Sequence, residues 1–186
     1  MQRDLVERAR DGDHDAFAAL ASAAISRLDG AAWLILRDVD QAKDAVQDAL
    51  VRAWRDLPGL REPDRFDAWL HRLTVNACLD LLRRRRRRAT EIQIEDLDLA
   101  GPSDPAAGIA DRDALDQALA RLDVDARAVV VLHYYLGLPI SAVAVALGIP
   151  AGTVKSRLNR SLTSMRTEIS GARRSAAASI AEGQLA

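Results

Sequence analysis

Six polar side chains within residues 153–160 are of the types that read DNA bases: Thr153, Lys155, Ser156, Arg157, Asn159 and Arg160. Arginine forms bidentate hydrogen bonds to guanine, asparagine can pair with adenine, and threonine contacts a thymine methyl group or a phosphate. At helical spacing most of these side chains share one face, and the others flank it. A solvated polar face on an ordinary bundle helix is the alternative interpretation. We favour DNA contact because the neighbouring turn and inward-facing residues fit that use.

A helix-turn-helix would hold this face at the surface. Residues 141–160 have the pattern of two short helices that meet at Gly148. Ala144 is small enough for the helices to approach, and Val154 faces inward from the second helix. Pro150 suits a helix start, where its missing amide hydrogen costs little. Such a motif presents its second helix to the DNA major groove.

A run of six arginines, residues 83–88, ends the fourth predicted helix. Like charges at this density repel one another unless an anion is present, so a phosphate backbone is the expected counterpart. A solvated helix end and an acidic protein surface are the alternatives. Upstream, the helical period predicts a buried stripe of Phe66, Leu70, Leu73, Ala77 and Leu81, with Arg72, Asn76, Asp80 and Arg83 roughly opposite.

The third predicted helix has a polar face made of Asp44, Gln47, Asp48, Arg52 and Arg55. Val51 lies among these polar residues, as in a partner surface with an apolar centre. An ordinary solvated helix face is the alternative. The opposite side carries the apolar residues expected in the core.

The 186 residues carry a net charge of only −1, which conceals three segments of different charge. Residues 1–88 sum to +2, residues 89–125 to −8 and residues 126–186 to +5. Basic ends joined through an acidic segment suit a protein whose ends meet nucleic acid. The hydrophobic content of 49% is sufficient for packed cores.

Several function classes are disfavoured by composition. No run approaches the length of an uninterrupted apolar membrane span, and the amino terminus does not resemble a signal peptide. The single cysteine, Cys78, cannot form an internal disulfide, and we expect a small buried residue in a cytoplasmic protein. His14, His71 and His133 lack metal-ligand spacing, so we expect no metal and no cofactor. The sequence shows neither a nucleophile–base pair nor a phosphate-binding glycine loop, so we do not expect an enzyme.

Nearly every ordered segment has helical periodicity, whereas residues 89–110 lose it and contain a Gly- and Pro-rich stretch at 101–105. The sequence therefore predicts an all-α fold of two small domains joined by a flexible acidic linker. The predicted domains are an amino-terminal domain at residues 1–88 and a helix-turn-helix domain at 111–170. Residues 89–110 are the predicted linker, and residues 171–186 a flexible tail. In the first domain, Asp13 is expected to cap a helix that runs to about Arg37, and Asp40 to cap the next. In the second, helices are expected over about 111–122 and 124–136, before the helix-turn-helix.

Three motifs together resemble a known family. They are residues 44–54 (DAVQDALVRAW), 66–83 (FDAWLHRLTVNACLDLLR) and 152–158 (GTVKSRL). Over about residues 4–170 the chain resembles a bacterial extracytoplasmic-function (ECF) sigma factor, the compact two-domain form of the sigma-70 family. The resemblance implies a monomeric subunit of RNA polymerase holoenzyme that directs promoter recognition, and it implies control by an anti-sigma factor. The apolar surface at residues 142–146 is a candidate contact for that factor.

The resemblance also assigns roles to particular residues. It implies core-polymerase binding by Asp44, Gln47, Asp48, Val51 and Arg52. Opening of the −10 element is implied for Arg72, Asn76 and Asp80, with Arg83, Arg84 and Arg87 gripping phosphate. It implies reading of the −35 element by the six side chains of residues 153–160 named above. The acidic linker would thread toward the polymerase active-site channel.

The chain departs from the family pattern at two places. Ala142 and Val145 stand where charged residues are common, which makes that surface unusually apolar. Glu62 and Asp64 precede the −10 motif, where acidic groups would repel phosphate. Two other functions stay open at this point: a stand-alone dimeric helix-turn-helix regulator, and a sigma-like interaction protein that no longer melts DNA.

Overall fold

The computed structural model describes residues 1–91 and 110–183, and within them the chain forms helices and no strands. The predicted all-α class is confirmed. The helices are α1 Gln2–Arg10, α2 His14–Leu36, α3 Val39–Asp56, α4 Phe66–Glu91, α5 Ala110–Ala120, α6 Val124–Val130, α7 Ile140–Leu147 and α8 Ala151–Gly183. Short 3₁₀ turns, Leu57–Gly59 and Pro63–Arg65, connect α3 to α4.

Aspartate side chains begin α2 and α3. The Asp13 carboxylate accepts a hydrogen bond from the Ala16 amide at 3.0 Å, as expected for an N-cap. The cap of α3 is Asp38, whose carboxylate accepts from the Gln41 amide at 3.0 Å. The prediction of Asp40 as the cap was wrong. Asp38 has the extended backbone of an N-cap, whereas Asp40 already lies in the first helical turn.

Helix α4 is buried on more of its circumference than one stripe. Phe66, Leu70 and Ala77 are buried as predicted, but Leu73 and Leu81 are only half-buried. His71, Val75 and Leu79 are buried instead, together with Thr74, Cys78 and Leu82. The reason is that α4 packs against α7 as well as against α2 and α3. Prediction of a single apolar stripe missed this additional neighbour.

Two helix ends and one helix type differ from the sequence prediction. Helix α4 continues to Glu91, beyond the expected boundary at residue 88, and α8 continues to Gly183 through most of the expected tail. Helix α6 ends as a π-helical turn over Val131–Tyr135, in which the Leu136 amide donates to the Val131 carbonyl at 3.0 Å. Most of the predicted linker, residues 92–109, lies outside the described residues, as do 184–186.

Helix α2 is long and apolar enough to cross a membrane by length and composition alone. In this fold it packs against α1, α3 and α4. Its residues Leu28, Ala31, Ala32 and Ile35 are fully buried. Since 33% of its most apolar window is buried, this packing accounts for part of the apolar composition of α2.

The amino-terminal helices α1–α4 pack against the carboxy-terminal helices α5–α8. Arg127, 5% exposed, donates to the Ile35 carbonyl in the last turn of α2 at 2.9 Å. It also donates to the carbonyls of Leu119 and Ala120 in the last turn of α5 and to that of Leu122, just after it. One guanidinium therefore bonds carbonyls at the ends of two helices. Burial, with the nearby charge of Arg37, lowers the pKa of Arg127 to about 10, so it stays charged at neutral pH.

A second group of contacts joins the same two halves. Arg37, whose side chain is 3% exposed, lies 3.2 Å from the Asp116 carboxylate of α5 and stacks over the Trp33 ring at 4.3 Å. Gly30 of α2 faces Tyr135 so closely that a Cβ there would lie 2.2 Å from the Tyr135 hydroxyl. The described residues thus form one continuous core.

Candidate promoter and polymerase interfaces

The helix-turn-helix is formed by α7 and α8. Gly148 ends α7 with a φ of 65°, a left-handed conformation that glycine adopts without strain. Val154 is fully buried against the core, as predicted from its position. The Pro150 carbonyl accepts from the Thr153 and Val154 amides at 2.9 and 3.1 Å, which starts α8. This geometry leaves the other face of α8 outward.

The predicted base-reading side chains lie on that outward face. Lys155, Ser156, Asn159 and Arg160 are exposed, whereas Thr153 and Arg157 are half-buried. The Ser156 hydroxyl donates to the Thr153 carbonyl at 3.0 Å within the same helix. Arg157 differs from its neighbours because its Nη1 lies 3.5 Å from an Asp125 carboxylate oxygen on α6. An open cleft of about 580 Å³ separates the start of α6 from α8 at this point.

The predicted polymerase-binding face of α3 is exposed. Asp44, Gln47 and Asp48 point to solvent, and Val51 is 61% exposed. Beside them runs a groove of about 500 Å³ between α2 and α3, lined mainly by the apolar side chains of Phe17, Ile25, Val46, Leu50, Val51 and Trp54. A protein partner that contacted this face would bury an apolar centre within a polar rim.

An ion-pair network connects α3 to α4. Arg52 lies 2.7 Å from Asp48 on its own helix and 3.5 Å from Asp80 on α4. Asp80 is also 3.1 Å from Arg83. The structure therefore brings residues expected to bind polymerase next to residues expected to bind the −10 element. Sequence periodicity alone placed these two sets on separate helices.

The remaining predicted residues of α4 occupy its outer face. Arg72 and Asn76 are half-buried, and Arg83, Arg84 and Arg87 are exposed. Exposed arginines at the end of a helix can approach a phosphate backbone, and Arg83 is in addition paired with Asp80.

Both acidic residues before α4 have arginine partners. Glu62 lies 2.7 Å from Arg65, and Asp64 lies 3.4 Å from Arg3 on α1. The expected repulsion of phosphate is therefore reduced, because each carboxylate has a neighbouring guanidinium. Reasoning from the sequence missed Arg3, which is distant along the chain.

Other polar or reactive residues of α4 are internal. Burial raises the pKa of the Cys78 thiol to about 12, which agrees with the expectation of a small buried residue. His71 is buried, and burial together with the positive charge of Arg27 lowers its pKa. Among residues 1–91 and 110–183, no group of three histidine, cysteine or acidic side chains could hold a metal ion.

Comparison with known proteins agrees with this geometry. Residues 20–88 match sigma-70 region 2, and residues 112–165 match sigma-70 region 4. The chain is 39% identical over 149 residues to SigM, an ECF RNA polymerase sigma factor of Mycobacterium tuberculosis, covering 80% of this chain and 74% of SigM. The chain belongs to the ECF sigma factors. The resemblance inferred from its three motifs is confirmed.

Two solved structures are similar to this sigma factor. CnrH, solved in complex with the cytosolic domain of CnrY, is 28% identical, with a TM-score of 0.64 over 91% of this chain and 97% of CnrH. The Bartonella quintana sigma factor RpoE, solved with the anti-sigma factor NepR, is 24% identical and shares the fold, with a TM-score of 0.66 over 83% of this chain and 96% of RpoE.

The ECF sigma factor binds core RNA polymerase and directs promoter recognition and transcription initiation. It is a DNA-recognition subunit of the polymerase. The stand-alone regulator and the sigma-like protein without promoter activity are therefore disfavoured.

Proposed function

We propose that the six side chains on the outer face of α8 read the −35 element, while α3 and α4 divide polymerase binding and −10 opening between them. The exposure of Lys155, Ser156, Asn159 and Arg160 supports the first assignment, since base-reading side chains must reach the groove. The exposed apolar centre at Val51 supports docking of polymerase on α3. Residues 1–88 and 111–170 act as the two binding modules.

On α4, Arg72 and Asn76 contact the unpaired −10 strand, and Asp80 orients Arg52 and Arg83. Flipping a base out of the stack costs a few kcal/mol. Contacts from this helix and phosphate contacts by Arg83, Arg84 and Arg87 offset that cost. Because this helix binds unstacked DNA more tightly than duplex DNA, it favours the open promoter. The polymerase, and not the sigma factor, carries out the chemistry of RNA synthesis. The sigma factor is accordingly not itself an enzyme.

The packed arrangement of the two halves must open for both elements to be bound. Elements at −10 and −35 lie about 25 base pairs apart, or about 85 Å along B-DNA. A compact chain of this length has a radius of gyration of about 16 Å, and therefore a diameter of about 40 Å. Residues 92–109 can span at most about 60 Å when extended. Helices α1–α4 must therefore separate from α5–α8 for the chain to contact both DNA elements at once.

Control by an anti-sigma factor in the cytoplasm completes the proposal. It is supported by the similarity to RpoE, which was solved with the anti-sigma factor NepR. On this chain Val145 of α7 is 68% exposed, in an apolar surface that also includes the half-buried Ala142 and Ala144. Such a patch suits a protein partner that masks region 4.

Two variants test the division of labour in reconstituted holoenzyme. Val51→Glu places a charge at the apolar centre of the α3 face, and we expect it to weaken capture of core polymerase. Arg157→Ala should still bind core polymerase. On a transcribed promoter fragment, it should no longer distinguish the native −35 element from a substituted one. Both residues are on or near the surface, so circular dichroism should confirm intact folding. Loss of core-polymerase binding by Arg157→Ala, or unchanged core-polymerase binding by Val51→Glu, would contradict the assignment.

A further inference from the structure

We propose that Asp125 of α6 is a specificity-determining residue, which positions Arg157 to read a guanine in the −35 element. The inference rests on the proposed reading of that element by α8. It concerns a residue outside the two helices of the helix-turn-helix, in a helix that packs against α8.

Arg157 has a distinctive environment on the reading face. Its side chain is 28% exposed, and its guanidinium faces Asp125 in the cleft beside α6. The neighbouring Arg160 instead directs Nε toward the Ser156 carbonyl of its own helix, at 3.4 Å. Among the described ion pairs, the pair with Asp125 is the one that ties a predicted base-reading side chain to another helix.

The chemistry of the guanidinium makes this contact useful. Its Nη1 faces Asp125, so the edge formed by Nε and Nη2 stays available for the two acceptors of guanine. The cleft is open, and an unrestrained arginine in it would sample many rotamers, including those that meet a phosphate instead of a base. The Asp125 side chain is 62% exposed, so its ion pair with Arg157 narrows that sampling modestly and favours the bidentate base contact.

Asp123 provides a matched control in the same cleft. Its carboxylate accepts a hydrogen bond from the Ala126 amide at 2.8 Å and caps α6, a role that asparagine also fills well. Asp123→Asn and Asp125→Asn therefore remove the same charge at nearly the same place. Any general gain in DNA affinity from the lost negative charge is shared by both variants.

The experiment uses holoenzyme reconstituted with each variant. The probes are one transcribed promoter fragment and a set of variants of that fragment, each with a single base pair of the −35 element substituted. Discrimination is the ratio of transcription from the native fragment to transcription from each variant. Arg157→Ala identifies the position that Arg157 reads. At that position we expect Asp125→Asn to lose about two- to fivefold discrimination, because an exposed ion pair contributes up to about 1 kcal/mol, and to keep discrimination elsewhere. Asp125→Glu should restore part of the loss, and Asp123→Asn should discriminate like wild type.

The outcomes separate this inference from the proposed function. If Arg157→Ala loses one position while Asp125→Asn discriminates like wild type, the role of Asp125 is overturned and the α8 assignment stands. Equal losses in both asparagine variants would mean a general charge effect, which also overturns it. If Arg157→Ala changes no position, the assignment of Arg157 itself fails.

Discussion

Charge reversal at Asp116 should open the packed arrangement of the two halves. Asp116 on α5 faces Arg37 at the end of α2, and the Arg37 side chain is almost fully buried. In Asp116→Lys the attraction is replaced by repulsion, and Arg37 is left as a buried charge without a counter-ion. When the halves separate, water solvates both groups. The substitution therefore destabilises the closed state far more than the open one.

The magnitude follows from burial. Removing one partner of a buried ion pair costs about 3–5 kcal/mol. Asp116 is 25% exposed, and a lysine there can turn partly to water, so we take the lower limit of about 3 kcal/mol. That value raises the open-to-closed ratio more than about a hundredfold.

Fluorescence energy transfer measures this opening. Dyes on cysteines introduced at the exposed positions Ser22 and Thr163 report the separation of α2 from α8. The native Cys78 can remain, because its raised pKa of about 12 keeps it in the unreactive thiol form. We expect lower transfer in Asp116→Lys, and a larger radius of gyration by X-ray scattering without labels.

Two controls make the result decisive. Asp40→Lys makes the same charge change at an exposed position and should leave transfer unchanged. Exchanging the pair, Arg37→Asp with Asp116→Lys, should restore closure, since aspartate tolerates the positive φ of residue 37. A folded Asp116→Lys protein with wild-type transfer would refute the reasoning.

Three further predictions concern stability, each measured by urea unfolding. Asp38→Ala should cost about 1 kcal/mol through loss of the α3 cap, whereas Asp40→Ala should cost little. A larger cost for Asp40→Ala than for Asp38→Ala would contradict the assignment of Asp38 as the cap. Burial lowers the pKa of His71, so as the pH drops through 6.5 the unfolded state takes up a proton before the folded state does, and the free energy of unfolding should fall. His71→Leu should make the free energy of unfolding depend less on pH in this range. An unchanged pH dependence would count against a buried, neutral His71. Arg127→Met should cost at least about 3 kcal/mol, since four carbonyls lose a charged donor, and a midpoint like that of wild type would show that they find other partners.

Local patterns of the sequence predict much of this fold. The Asp13 cap, the Gly148 turn and the buried Val154 depend on near neighbours in the chain, and all three are present. The second buried side of α4 could not be predicted in this way, because it depends on packing against α7, which is far away in sequence.

The same distinction holds for the candidate site. Periodicity identified the outer face of α8, since exposure follows from helical spacing. It could not identify Asp125 beside Arg157, or Arg127 bonded to the end of α2, because these partners meet only after the helices pack. A buried arginine is also unusual enough that composition favours an exposed position.

In vitro transcription tests the central claim most directly. Core RNA polymerase is combined with the purified sigma factor and a library of genomic fragments, and the transcript ends are sequenced. We expect discrete start sites that appear only when the sigma factor is present and share conserved elements near −10 and −35. Absence of any transcript that depends on the sigma factor, with the protein folded and the polymerase active on a control promoter, would contradict the claim.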